Sequence, residues 1–574
     1  MHKDNSEENR QLYWNGETPS FVDNEFDSEV LHFLQVLSSK PAITLLAIAL
    51  ADKNKMISEG ISDTLKLLGS QMLNSSTNLL VGEINNEIFV VSQHVSSCDF
   101  IFFPRLNKVK IICHANMEMV VDIASKLEDL AGKLEFNIPP SFDGLIASHG
   151  RPSHYFYDAI LGLSEVNDYL NSIPQGKKLS LYQISHCNFA DLKFFVGDKF
   201  HFPQSSVHFD QLNSLSNSAN KLFLKVGSFY DRGNEVKRLK LLKYDELFLS
   251  ESLRNKGNDY REVQELKKAG YFILWHGITT QKRKWLEQCD AIVALATMLY
   301  NSGEKLCVII DGWTSPITPS KLDESQIESD NVVFSEIKNN IPPDIRVINA
   351  IGKTPAEKLT IASLCNFHVS NGGTGSIYTS RMAKIPGILH ISNKAIGMTE
   401  QSIHYNSAFV PDSFVHDIEV EGLRDDFVSY SIAKKPFVSF ALEKIAELFD
   451  IKVVPIDIGY SINCKHLTNS EEYESTSDDP ILVFNKSSVF SNYEGNVEVK
   501  VRVNTLLNYK SLTPKLYLDL GNGYSEELSL LSKYNSNGEV TFSLNVTKEL
   551  KSLRFDPFSC KGKFNIEYAL LKLF

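Results

Sequence analysis

The stretch that most constrains this chain is residues 346–392, RVINAIGKTPAEKLTIASLCNFHVSNGGTGSIYTSRMAKIPGILHIS. A short apolar run, Val347–Ile351, is followed by a turn at Gly352–Pro355. Ala356, Leu359, Ile361, Leu364 and Cys365 then recur mostly at three- and four-residue steps, the period of a helix. A second apolar run, Phe367–Ser370, meets the turn Asn371-Gly372-Gly373-Thr374-Gly375-Ser376. Another helical piece, Ile377–Lys384, leads past Pro386 to a third strand, Ile388–Ile391. Strand, helix, strand, glycine turn, helix, strand predicts a parallel sheet covered by helices.

The glycine turn carries the chemistry. Gly372, Gly373 and Gly375 lack a Cβ, so a ligand can approach the backbone and positive φ costs little. Their N–H groups and the first turn of the next helix are expected to converge on one anionic spot. Thr374 and Ser376 add hydroxyl donors, and a phosphate or diphosphate fits the description. A tight strand-to-helix turn without a ligand would use the same glycines. Position favours the ligand, because α/β sheets bind at the carboxyl ends of their strands.

The run Phe367–Ser376, followed by Ala383-Lys384-Ile385-Pro386, resembles the donor-binding segment of GT-B glycosyltransferases. Asn371 stands where many members have histidine, and Thr379 where a ribose-binding glutamate is expected. The paired glutamates of many retaining members are absent. The resemblance implies a fold of two Rossmann-like α/β domains and a nucleotide-sugar donor, with no cofactor beyond it and no metal.

Composition sets outer bounds. At 574 residues the chain has room for three or four domains by the prior of about 150 residues each. A formal charge of −12 argues against a nucleic-acid partner, which would need a basic face. The longest apolar run, Ala42–Ala51, is too short to span a bilayer and reads as a buried helix. Eight cysteines are scattered singly without a C-x-x-C pair, which predicts reduced thiols, a cytoplasmic protein and no structural zinc.

Taken in order, residues 1–25 read as a flexible N-terminus and 26–265 as the first α/β domain, assigned to the acceptor. Its pattern is helical over about 26–75, with strands at Leu79–Val81, Ile88–Ser92, Phe100–Phe103 and Lys110–His114. A later strand, Leu145–Ser148, runs into His149-Gly150-Arg151-Pro152-Ser153-His154-Tyr155-Phe156-Tyr157-Asp158. His154 and Asp158 are four apart and would share a helical face as an oriented general base. His149 is a further catalytic candidate, and Arg151 and Tyr155 are candidates for holding the acceptor. A capped helix whose polar groups merely pair locally would read the same way.

Residues 266–468 read as the donor domain. Tyr271–Trp275 is a strand ending at His276-Gly277, and Leu306–Ile310 a strand ending at Asp311. By the resemblance, Gly277, Asp311 and a base of the first loop contact the donor. Lys282, Arg283 and Lys284 match that loop, and Arg283 is preferred because guanidinium grips phosphate in a fork. The acidic, serine-rich 469–479 reads as a linker, and 480–574 as a small antiparallel β-sandwich with short strands between Asn/Gly turns. Leu553–Pro557 with Gly562 and Phe564 is similar to β-sandwich modules appended to bacterial polysaccharide glycosyltransferases.

The expected function is transfer of a sugar from a nucleotide donor to a cell-surface polysaccharide (capsule or lipopolysaccharide) or glycolipid. Peripheral contact with the inner membrane or with other polysaccharide-assembly enzymes goes with that expectation. Two alternatives stay open: a non-catalytic carbohydrate-binding scaffold, and an epimerase of UDP-sugars.

Overall fold

The computed structural model describes residues 14, 16–22, 26–62, 64–127, 140–173, 178–196, 199–204, 206–231, 233–418, 420–422, 424–449, 453–467, 472–484, 495–546 and 550–573. Most of the expected flexible N-terminus, 1–25, lies outside them, although Ser20–Phe21 (β1) pairs with a strand of the first sheet.

Helices Ser28–Ser39, Pro41–Ala49 and Lys53–Ser58 open the fold. Ala42, Leu45, Leu46 and Ala47 are buried, as expected for the apolar run. Helix does not continue to residue 75: Lys66–Asn74 is a strand (β2). Six consecutive residues of it are buried, so it shows none of the alternation that marks a half-exposed strand. With Thr77–Ile84 (β3), Glu87–Gln93 (β4), Phe100–Phe103 (β5) and Lys108–Ile111 (β6) it forms an antiparallel meander. Asn85 and Asn86, both at positive φ, turn β3 into β4. These connections are far too short for the crossover a parallel pair needs, so this part of the first half is not Rossmann-like.

A parallel sheet follows, made of Ser141–Ile146 (β7), Leu179–Tyr182 (β8), Phe200–His201 (β9) and Lys221–Lys225 (β10) in the order β10-β7-β8-β9. The meander abuts its β10 edge: Ser70 accepts the Phe223 N–H and Gln93 the Lys225 N–H.

The second half is a six-stranded parallel sheet. Phe272–Gly277 (β11), Leu306–Asp311 (β12), Arg346–Asn349 (β13), Phe367–Asn371 (β14), Gly387–His390 (β15) and Ser407–Phe409 (β16) lie in the order β13-β12-β11-β14-β15-β16. That is the doubly wound order, with its switch point between β11 and β14. Both faces are covered. Ile273 and Trp275 of β11 join a core shared with the first half, while Phe272 and Leu274 join a separate one.

The carboxyl-terminal part is two antiparallel sheets around one core. It starts earlier than expected, with Val453–Pro455 paired to Lys563–Leu573. The expected linker 469–479 is corrected as well, because Glu472–Ser475 pairs with the same strand. Its composition is that of a linker, yet Tyr473 stacks on Phe564 at 5.6 Å and Ser475 is buried. The module rests on the end of helix Gln288–Asn301: Lys500 donates to the Asn301 carbonyl at 2.8 Å and Lys572 to that of Ser302 at 2.5 Å. Lysines at a helix carboxyl end suit both its unpaired carbonyls and its dipole. Among the described residues no single helix is long and apolar enough to cross a membrane.

Candidate functional site

The loops after β11 and β14 meet at the switch point, and the predicted donor residues divide there. Arg283 adopts φ of +51° and turns its guanidinium inward, leaving it 8% exposed. Its Nη1 donates to the Asp426 carbonyl at 3.0 Å. Its Nη2 lies beside the glycine turn, since a Cβ on Gly373 would stand 3.3 Å from it. Lys282 is 3.5 Å from the Asp426 carboxylate and covers the Phe427 ring, whereas Lys284 is exposed. Burial pulls the Lys282 ammonium down to about 8, helped by the charges of Arg151 and Arg283. Burial also lowers Arg283, against Asp426 and with Arg151. Arg151 of the first half therefore acts electrostatically on both bases. Removing cations from water next to one another is costly, and a bound anion relieves that cost.

The glycine turn differs in detail from the expectation. None of Gly372, Gly373 and Gly375 has positive φ, so their role is space. The Gly372 N–H is taken by the His390 carbonyl at 2.9 Å and the Gly373 N–H by Asn371 Oδ1 at 3.1 Å. Asn371, in the place of the family's histidine, holds the turn and also donates to Tyr430 Oη at 3.2 Å. Ser376 donates its hydroxyl to the Gly373 carbonyl at 2.9 Å. After a single 3-10 turn, Thr374–Ser376, the chain forms a π turn, Ile377–Met382, in place of the expected α-helix. Two of the turn's N–H groups are thus taken within the fold, and the positive charge beside it comes from Arg283 and Lys282. Thr379, at the expected glutamate position, is buried against Ser370 and offers no carboxylate.

The loop after β7 occupies the equivalent place in the first parallel sheet, between β7 and β10. Pro152 opens a short turn, Tyr155–Ala159 is a π turn, and the helix Ile160–Ser172 continues from it. His154 Nδ1 lies 2.8 Å from Asp158 Oδ2, with the side chains 20% and 4% exposed. With the carboxylate as acceptor, Nδ1 is the donor of this pair and Nε2 is the ring nitrogen turned away from it. The other Asp158 oxygen accepts the Tyr230 N–H at 3.2 Å. His149 lies deeper, its Nδ1 accepting the Arg151 N–H at 3.0 Å, and burial pushes it well below the usual imidazole range.

Two histidines that sequence reading missed complete a row. Ring centroids run from His94 to His149 at 5.1 Å, His149 to His154 at 4.6 Å and His154 to His114 at 5.2 Å. His114 also stacks on Phe229 at 5.8 Å and has φ of +37°. Both come from the antiparallel meander. Its loop 94–99 is folded round the Asp99 carboxylate, which accepts the N–H groups of His94, Val95 and Ser96. Gly227, beyond β10, admits this loop: a Cβ there would collide with the Val95 carbonyl. Burial pulls His94 down to about 4, with Lys225 adding to it, and lowers His114 as well. The histidine rings lie tilted against one another at 48–57°, and among the described residues no group of three His, Cys, Asp or Glu could hold a metal.

Two predicted contacts fail geometrically. Tyr155 is fully buried, donating to the Ala190 carbonyl at 3.1 Å, and cannot touch an acceptor. Its aromatic neighbours Phe156 and Phe189 explain why: it is a core residue. The Asp311 carboxylate is 2.5 Å from Lys358, both buried, so it is engaged before any ligand arrives. Gly277 ends β11 beside Ser370, and a Cβ there would make only ordinary contact at 3.7 Å.

No family model and no curated protein matches the chain. Among solved structures, the E. coli heptosyltransferase WaaC with ADP aligns over 53% of this chain and 99% of its own, at 13% identity and a TM-score of 0.27. A glycosyl transferase of family 9 from Veillonella parvula DSM 2008 covers 44% of this chain and 69% of its own, at 15% identity and a TM-score of 0.22. A xylan-binding module, CBM15, covers 21% of this chain and 97% of its own, at 10% identity and a TM-score of 0.16. Likenesses this low carry no argument, and the reading of the site rests on its own residues.

Proposed function

We propose that the chain is a glycosyltransferase that moves a sugar from a nucleotide diphosphate donor to a glycan or glycolipid hydroxyl. The observation that carries this reading is the Arg283 guanidinium lying against Gly373 at the switch point of a doubly wound sheet. Arg283 and Lys282 would take the diphosphate and neutralise the charge that develops as it leaves. Across from them, His154 Nε2 would accept the proton of the attacking hydroxyl while Asp158 fixes the ring and stabilises the imidazolium. A thermal-shift panel of UDP, GDP, ADP, CDP and dTDP tests the reading. A diphosphate at about 100 times its dissociation constant stabilises by about 2.7 kcal/mol. No shift with any of the five overturns it.

A further inference from the structure

Both candidate loops run directly into a π turn, and the two π turns touch. Arg381 lies in the turn that follows Gly372–Ser376, and it is 1% exposed. Its Nε and Nη2 donate to the two Asp245 oxygens at 2.9 and 2.8 Å, in the fork geometry that only arginine supplies. Nη2 also donates to the Phe156 carbonyl at 3.1 Å, and the guanidinium lies 4.1 Å from the Tyr157 ring centroid. Phe156 and Tyr157 sit between His154 and Asp158. The Tyr157 hydroxyl in turn accepts the Ile403 N–H at 2.8 Å, returning the link to the second half.

A buried ion pair is weak evidence for stability, because desolvation offsets its attraction. Geometry is the better explanation here. We propose that Arg381 is a positioning residue that locks the His154–Asp158 turn to the glycine turn, so that an anion held at Arg283 and Gly373 also orders the His154 loop. The inference rests on the proposed function only for what the two loops do, and its test separates the two.

The variant is Arg381→Met with Asp245→Leu, an apolar replacement of the kind buried ion pairs often tolerate. Hydrogen exchange is read over 147–159 and 371–382 on the full chain, with and without inorganic pyrophosphate. In wild type, pyrophosphate should slow exchange in both segments, and in the variant in 371–382 alone. A wild type in which only 371–382 responds, or a variant in which both still do, overturns the proposal. If pyrophosphate leaves 371–382 unchanged in wild type, the diphosphate reading falls instead. The positioning role is then decided without ligand: exchange in both segments must rise together in the variant at near-native melting temperature, and unchanged exchange overturns it. Should the double variant not fold, Arg381→Lys, which keeps the charge and loses the fork, is read in the same way.

Discussion

Gly373→Val probes the proposed diphosphate site directly. A Cβ at this position would stand 3.3 Å from Arg283 Nη2 and 3.3 Å from Asn371 Oδ1, inside the roughly 3.5–4.0 Å of a relaxed contact. Arg283 cannot simply retreat, because its Nη1 is held 3.0 Å from the Asp426 carbonyl and its stem is buried. The β-branch would fill the space where guanidinium and phosphate oxygens must meet. Losing a charge-assisted bond of about 1.5–3 kcal/mol weakens binding about 10- to 150-fold. Titration calorimetry with the nucleoside diphosphate that shifts the wild-type melt gives the dissociation constant. Gly375→Ala is the internal control, since its Cβ would meet only Asn371 Cβ at an ordinary 3.7 Å. A folded Gly373→Val protein with wild-type affinity would refute the reasoning.

His154→Ala should cost roughly 10²–10⁴ in transfer at saturating donor, with Asp158→Asn costing less and donor affinity unchanged in both. A raised donor dissociation constant with intact turnover would make this loop a binding element. Tyr155→Phe should lower stability by about 1 kcal/mol in a urea melt and leave turnover alone; altered acceptor kinetics would return Tyr155 to the site. Truncation after Phe449 should give a monodisperse body by size exclusion. Truncation after Ser470 should aggregate, because Ile458–Ile462 loses its partner Ile481–Phe484. Bound diphosphate favours the charged form of Lys282, whose value in the free protein lies near 8. Binding should therefore take up protons above about pH 8, and affinity should fall as pH rises through that value. Calorimetry in buffers of different ionisation enthalpy measures the uptake, and none would remove Lys282 from the site.

What was legible in the sequence follows physical locality. Four strands of the second sheet, β11, β12, β14 and β15, announce themselves because each is a short buried run bounded by a turn, whereas the edge strand β16 is only half-buried and gives no such signal. The His154–Asp158 pair was readable because four residues apart is one helical turn, and the π turn between them still leaves the side chains 2.8 Å apart. Long-range partners were not readable. Nothing near Asp311 in sequence marks Lys358 as its counter-ion, and nothing near Tyr155 places Ala190 over its hydroxyl. The module boundary failed for another reason. The Glu472–Ser475 strand exposes glutamates on one face, and with only four residues its alternation is hidden by the linker-like composition around it.

The antiparallel meander shows why a motif read from one segment leaves out its long-range neighbours. His94 and His114 sit more than 30 positions from His154 in sequence, each just past the end of a short strand, where a lone histidine carries no signal. They reach the site only because β10 lies beside the meander and Gly227 lets the 94–99 loop close on the end of that strand. Asp99 then organises the loop from within by accepting three consecutive N–H groups. The same arrangement suits the proposed chemistry. His94 and His149 are held neutral by burial, so the row adds little positive charge beside His154 and leaves cationic work to Arg151, Lys282 and Arg283. A protonated row would oppose the imidazolium that His154 must become on accepting a proton. Holding His94 and His149 neutral would keep that step accessible, and the antiparallel meander contributes His94 and the loop folded beside it.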